Sequence, residues 1–383
     1  MPRLYRSGTF YRLFSFLPQA SNRRFFPDPG TVFIVATLSD ATRSREKFFL
    51  AGVKSPPAAG NRCARTISRG LRAAFHRHGR HRGGVRLGAP LDRRRHSTLT
   101  LPALRKFQQF CEGFGVVPIY LLDYPVADSP DTVAAIGDAV DAGRAEVGVQ
   151  LHPWVSPPFD EDVSEFNSYA GNLPYELERE KFARLHRRID RAFGQAPRIY
   201  RAGRYGLGPR TAEILAEFGM AIDTSVRARF DYSSAGGPNY REHPLHPYWA
   251  GGEHALLELP LTTVYWGPLR QMGNVIYPHL WRAPQVRGVL ARAGLLERIP
   301  LTPEGITAEE ALRGVDIAID EGLPVLVFSF HSPSLAPGHT PYVRSEADLG
   351  ALYDWWRTLF AHLAHRGVRP THVADILSSV VLA

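Results

Sequence analysis

Two cysteines, Cys63 and Cys111, are all that the 383 residues contain, so no disulfide framework is available and neither thiol has the paired spacing of a metal site. Long apolar runs are also missing. Spanning a bilayer takes about 18 consecutive apolar residues, whereas TVFIVATL at Thr31–Leu38 is the longest smooth stretch. The opening MPRLYRSGTFYRLFSFL has no clean basic, apolar and small-residue succession, so a secretory leader is not expected. A cytoplasmic chain is the default reading, with the cell envelope as the other compartment. Acidic side chains are scarce only at the start. Residues 1 to 97 hold 20 Lys+Arg against 4 Asp+Glu, a surplus of +16, while the remainder holds 26 against 33, or −7. The formal charge of +9 and the pI of 9.7 therefore belong to the first quarter rather than to the body.

Periodicity is absent from that quarter too. From Met1 to about Arg95 there is neither a sustained helical stripe nor a pair of strands, and breakers recur in SPPAAGN and HGRHRGGVRLGAP. Residues 1–96 are expected to be a basic, irregular segment. It could act as a nucleic-acid arm, since Lys and Arg neutralise phosphates, but Asn61 to Arg95 lack interleaved stacking aromatics.

From residue 97 the texture changes, and 44% hydrophobic residues overall are enough for a buried core. Leu101 to Gly115 places Leu104, Phe107, Phe110, Cys111 and Phe114 at helical spacing, after a proline in the first turn and before a glycine. VVPIYLLDYP then reads as a strand. Helices are expected over Asp131–Gly143, Pro174–Gly194, Pro209–Gly219, Pro278–Ala293, Thr307–Gly322 and Ala347–Arg366. Short apolar strands separate them: Ala145–Leu151, RIYRAG, MAIDTS, ALLELPLT and PVLVFSFH. Strand-helix units of this kind predict an α/β body, residues 97–383, whose parallel sheet is closed or nearly closed into a (β/α) barrel.

Four strand ends carry polar residues: His152 in VQLHPW, Arg201 and Arg204 in YRAGRYG, Asp223 in AIDTSV, and His331 in FSFHSP. One such residue is an ordinary structural group; four on successive units at one sheet edge make a candidate site. Trp154 and Tyr205 beside them offer ring faces to a sugar, although rings there also serve as packing.

In this order the motifs EVGVQLHPW, RAGRYG, AIDTSV and FSFHSP resemble those of the polysaccharide deacetylase superfamily, the NodB homology domain, and within it the WalW-like branch. The resemblance covers about Gly88 to Ala383 and implies a seven-stranded barrel that removes acetyl groups from a carbohydrate with the help of a divalent ion, zinc or similar. It implies that His152 binds metal, His331 protonates the leaving group, Asp223 orients His331, and Arg201 pairs with the base carboxylate. Trp154, Arg204 and Tyr205 would then face the sugar. Two departures stand out. The family's two metal histidines lie four residues apart, whereas here Gln150 and Trp154 hold those places, with His152 between them. The family's first strand ends in paired acids, whereas Arg80 to Leu87, RHRGGVRL, has none. Encoded as CGA CAC CGA GGA GGA GTT CGA CTG G and read one base later, that stretch becomes D-T-E-E-E-F-D-W, an acidic first motif. The expectations are thus a hydrolase with its first strand missing or replaced, a catalytically inactive carbohydrate-binding descendant, or a nucleic-acid-associated protein acting through residues 1–97.

Overall fold

The computed structural model describes residues 31–38, 48–50, 91–94, 97–250, 256–280 and 283–382. The first strands are β1 (Thr31–Leu38) and β2 (Phe48–Leu50). After them come α1 (Pro102–Glu112), β3 (Ile119–Leu122), α2 (Tyr124–Asp128), α3 (Pro130–Asp141), β4 (Glu146–Leu151), α4 (Tyr175–Phe193) and β5 (Ile199–Ala202). The middle holds α5 (Thr211–Glu217), β6 (Ile222–Asp223), β7 (Tyr248–Ala250), β8 (Leu256–Glu258), β9 (Thr263–Trp266), α6 (Gly273–Leu280) and α7 (Pro284–Arg292). The chain ends through β10 (Glu297–Pro300), α8 (Ala308–Asp320), β11 (Val325–His331), α9 (Glu346–His365), β12 (Val368–Pro370), α10 (Val373–Ser379) and β13 (Val380–Leu382).

Local chemistry accounts for many of these limits. α1 carries proline in its first turn and α4 stops at Gly194 with φ +68°, a backbone state that costs glycine least. Thr307 with Glu310 and Ser345 with Asp348 form reciprocal caps that start α8 and α9. The single helix expected over Pro278–Ala293 is instead two, α6 and α7.

β3, β4, β5, β6 and β8 are parallel neighbours, so the body is mixed α/β with a parallel sheet. β7 is antiparallel on β8. At the other side β1 lies between β11 and β3 and runs against both, which corrects the expectation that the first quarter holds no paired strand. β11 and β3 therefore run the same way, with one reversed strand filling the place between them. The acid-free stretch Arg80 to Leu87 lies outside the described residues.

Thr262 N donates to the Val327 carbonyl at 3.3 Å, Val327 N to Thr262 Oγ1 at 2.9 Å, and Ser329 N to the Leu301 carbonyl at 3.3 Å. These bonds tie the segments that follow β8 and β10 to β11, although no strand ladder closes the sheet among the described residues.

The two sheet faces divide the core. Ile119, Leu121, Ile199, Ile222, Leu257, Leu259, Val35 and Val327 form an apolar layer on one face. The other face packs Val147, Val149, Leu151, Tyr200, Phe328 and Phe330 against helices through Phe107 and Trp356. Side chains alternate faces along a strand. On β4, β5 and β11 the first face continues toward the carboxyl edge as Gln150, Arg201 and His331.

Candidate functional site

The loop after β4 is held from below. Lys181 of α4 is fully buried, and its ammonium donates to the carbonyls of Pro153 at 3.0 Å, Ser156 at 2.7 Å and Pro158, with Glu161 Oε2 2.9 Å away. Burial draws the Lys181 ammonium below its ordinary pKa, and Glu161 opposes that shift. A buried cation with three carbonyl acceptors and a counter-ion fixes the path of PWVSPP, and with it His152.

His152 is buried at the end of β4, with Nδ1 3.4 Å from Asp123 Oδ2. Asp123 Oδ1 accepts from Val126 N at 3.1 Å, so one carboxylate both caps α2 and faces the imidazole. Trp154 lies parallel to the His152 ring at 4.8 Å and is only 3% exposed. That corrects its expected role as a sugar platform, because its face is spent on His152. Gly203 closes the other side: a Cβ there would stand 2.0 Å from His152 Cδ2 and 2.5 Å from the Leu151 carbonyl.

His331 ends β11, with Nδ1 2.6 Å from Glu304 Oε2 and its backbone N–H donating to Glu304 Oε1 at 3.1 Å. Ser334 Oγ donates to Glu304 Oε1 at 2.7 Å, so the carboxylate is fully engaged. The His331 side chain is 26% exposed and that of Glu304 5%. The arrangement is an imidazole oriented by a buried carboxylate at a solvent-facing edge, the form of a proton carrier.

Glu304 thus takes the place expected for Asp223, and register explains why. Ile199, Ile222 and Leu257 are in register on the apolar layer, so Tyr200, Asp223 and Glu258, the next residues along, turn to the opposite face. Asp223 Oδ1 accepts from Ser225 N at 3.0 Å and from Ser225 Oγ, and Glu258 Oε1 accepts from Val226 N at 3.0 Å. The two carboxyls are hydrogen-bonded to each other, and burial, followed by their mutual repulsion at Glu258, raises both pKa values.

Such a pair gives stability below the ordinary carboxylate range near pH ~4 and loses it as pH rises through the raised folded values, because the folded state holds a proton that the unfolded chain releases. Denaturant midpoints are expected to fall between pH 4.5 and pH 7.5. Glu258→Gln should flatten that slope; an unchanged slope would rule the pair out as its source.

Arg201 is buried on β5 beside Gln150, with Nε donating to the Thr224 carbonyl at 3.1 Å. Burial lowers its pKa to about 9, with Tyr205 the leading opposing charge. Next along the chain, Arg204 and Tyr205 both have left-handed backbones, φ +54° and +63°. Two such residues in succession are strained and occur where surrounding contacts impose them. The turn sends Arg204 away, onto Ser168, Glu165 and the Tyr169 ring, so its expected sugar contact is corrected to a loop contact. Tyr205 lies 5.6 Å below Arg201 and 5.2 Å below Arg227. Burial by itself would raise the Tyr205 phenol, yet Arg227, Arg201 and His331 together bring it below its ordinary value.

No protein-family model and no curated protein matches the chain. Among solved structures it is similar to a Mycobacterium smegmatis protein provisionally named a polysaccharide deacetylase. The two are 17% identical with a TM-score of 0.41, over 74% of this chain and 79% of that one. It is also similar to a 4-alpha-glucanotransferase from Thermococcus litoralis, at 16% identity and TM-score 0.28 over 43% of this chain and 25% of the other. A third likeness is to a branching enzyme from Thermococcus kodakaraensis, solved with glucose, at 13% identity and TM-score 0.32 over 65% and 49% of the two chains.

The donors around His152 bear on the divalent ion expected there. Among the described residues no three His, Cys, Asp or Glu side chains come together in a metal-holding group. Among the described residues Asp123 is the carboxylate that faces His152, and the buried Gln150 Oε1 on β4 is neutral and without a described hydrogen-bond partner. Catalytic zinc takes three protein ligands and keeps one position open. The residues described do not fit that requirement, and no reaction step is routed through a metal.

Three contributors escaped the sequence reading. Asp123 bore the same signal as His152, a polar residue closing an apolar strand, but Asp-Tyr-Pro also reads as a turn. Glu304 sits in the loop TPEGIT, where nothing marks it among 37 acids. Arg227 follows the Asp223 motif, and only folding brings it to Tyr205.

Proposed function

We propose that the chain is a carbohydrate deacetylase-like hydrolase whose proton carrier is His331. The observation behind this is the His331–Glu304 pair at the carboxyl edge of β11, beside Tyr205 and on the sheet face that also presents Arg201. The ordered motif set that resembles the polysaccharide deacetylase superfamily supports the substrate class, and the distorted barrel is part of the same reading.

A water oxygen bonds to the acetyl carbonyl carbon as its proton passes to His331 Nε2. Glu304 stabilises the imidazolium that forms, and the cationic Arg201 favours the negative charge on the former carbonyl oxygen. The proton then moves from Nε2 to the sugar nitrogen or oxygen as that bond to carbon breaks, releasing acetate. His152, Asp123 and Gln150 line the neighbouring edge.

Acetate release from acetylated oligosaccharides tests this, with and without added zinc or cobalt. Release supports the enzyme. Sugar binding without release in either condition would instead support the inactive carbohydrate-binding descendant, which the acid-free Arg80 to Leu87 and the neutral Gln150 favour. The reading of Arg80 to Leu87 as out of frame is also proposed, and resequencing the guanine run before Gly88 decides it. An intact in-frame coding sequence ends that idea without touching the rest.

A further inference from the structure

One guanidinium at this site, that of Arg227, has no part in the reaction above. Arg227 lies 3.9 Å from the centre of the Phe230 ring, donates from Nη1 to Tyr232 OH at 3.1 Å, and leaves its buried Nε without a hydrogen-bond partner. No carboxylate among the described residues pairs with it. A second guanidinium, Arg298, sits 3.5 Å from the centre of the same ring.

The nearest acid that could neutralise this end of the site is already spent. Glu304 receives His331 through both oxygens and Ser334 through one. Asp223 and Glu258 are on the opposite sheet face. The Tyr205 ring centre lies 5.2 Å from Arg227 and 5.6 Å from Arg201, and the His331–Glu304 pair acts on the same phenol. Arg227 is half-buried, and its planar fork matches a carboxylate, sulfate or phosphate. Beside it the Tyr205, Tyr232 and Phe230 rings lie near-parallel, with successive centres 5.6 and 6.2 Å apart, and hold the guanidinium groups against them.

We propose that the site takes a carbohydrate bearing an anionic group, which Arg227 receives at the edge of the Tyr205–Tyr232–Phe230 stack. This rests on the carbohydrate reading above and adds the charge of the substrate.

The test is titration calorimetry on the full chain with two probes of equal length, acetylated cellotetraose and the same oligomer carboxylated at carbon 6. The carboxylated probe is expected to bind about 10-fold more tightly or better, as one charge-assisted contact allows. That advantage should shrink as salt rises from 50 to 500 mM. Arg227→Gln should bring the acidic probe to the affinity of the neutral one and leave the neutral one unchanged, and Arg227→Lys should recover only part. Sulfated and phosphorylated probes then identify which anion fits best. Equal binding of neutral and acidic probes by the unmodified protein overturns the proposal, and so does a charge preference that survives in Arg227→Gln. Should that variant not fold, the salt dependence of the unmodified protein decides alone. Acetate release from the neutral probe is scored separately, so a failed enzyme reading and a failed charge preference give different results.

Discussion

Alanine at position 331 is expected to reduce acetate release by about 10²-fold or more, the usual contribution of a positioned proton carrier. The argument is geometric. His331 is the one described imidazole on this edge that is both held by a buried carboxylate at hydrogen-bond length and partly open to solvent. His152, by contrast, is buried between Trp154 and the backbone of Gly203. Glu304→Gln keeps the shape but not the charge behind the ring, and should lower turnover by a smaller factor, ~10-fold, with substrate affinity little changed. The alanine variant leaves the buried Glu304 carboxylate without its imidazole partner, so a lower melting temperature is expected and turnover is compared at a temperature where both proteins are folded. Full turnover in a folded His331→Ala protein would remove the residue from the reaction.

Alanine at position 203 is expected to be the most damaging single-methyl change at the site. The added Cβ would stand 2.0 Å from His152 Cδ2 and 2.5 Å from the Leu151 carbonyl, so ring or strand must move. The ring cannot rotate freely, because Trp154 lies against its face and Asp123 faces its Nδ1. Overpacking of this kind typically costs 1–3 kcal/mol, roughly, and here it also disturbs the turn that carries Arg204 and Tyr205. Chemical denaturation of Gly203→Ala should therefore show a clear loss of stability together with a loss of oligosaccharide binding. A variant as stable as the parent would mean that His152 has room that the packing denies.

Much of the framework was legible in local pattern. The 3.6-residue stripe, the opening proline and the closing glycine marked α1, and similar cues marked α3, α4, α8 and α9 to within a few residues. The apolar strands ending in His152, Arg201 and His331 were equally plain, since alternating or continuous apolar runs are short-range signals. The charge asymmetry and the lack of a membrane-length apolar stretch also came from the sequence, and no described helix is long and apolar enough to cross a membrane.

Pairing between distant segments was not legible, because it depends on register and on which edges remain open. TVFIVATL is a short apolar run within a quarter expected to be irregular, and only the open place between β3 and β11 makes it a reversed member of this sheet. The family resemblance implied that Asp223 is the partner of His331. A shift of one residue along β6 turns a side chain to the other face, so Asp223 joins Glu258 while Glu304, from an unmarked loop, reaches the imidazole. By itself the sequence determined most of the helices and which strand ends are polar, since those depend on neighbours a few positions apart. Tertiary structure alone decided which polar groups meet, because hydrogen-bond partners such as Glu304 and His331, 27 residues apart, are chosen by sheet register and loop path rather than by spacing.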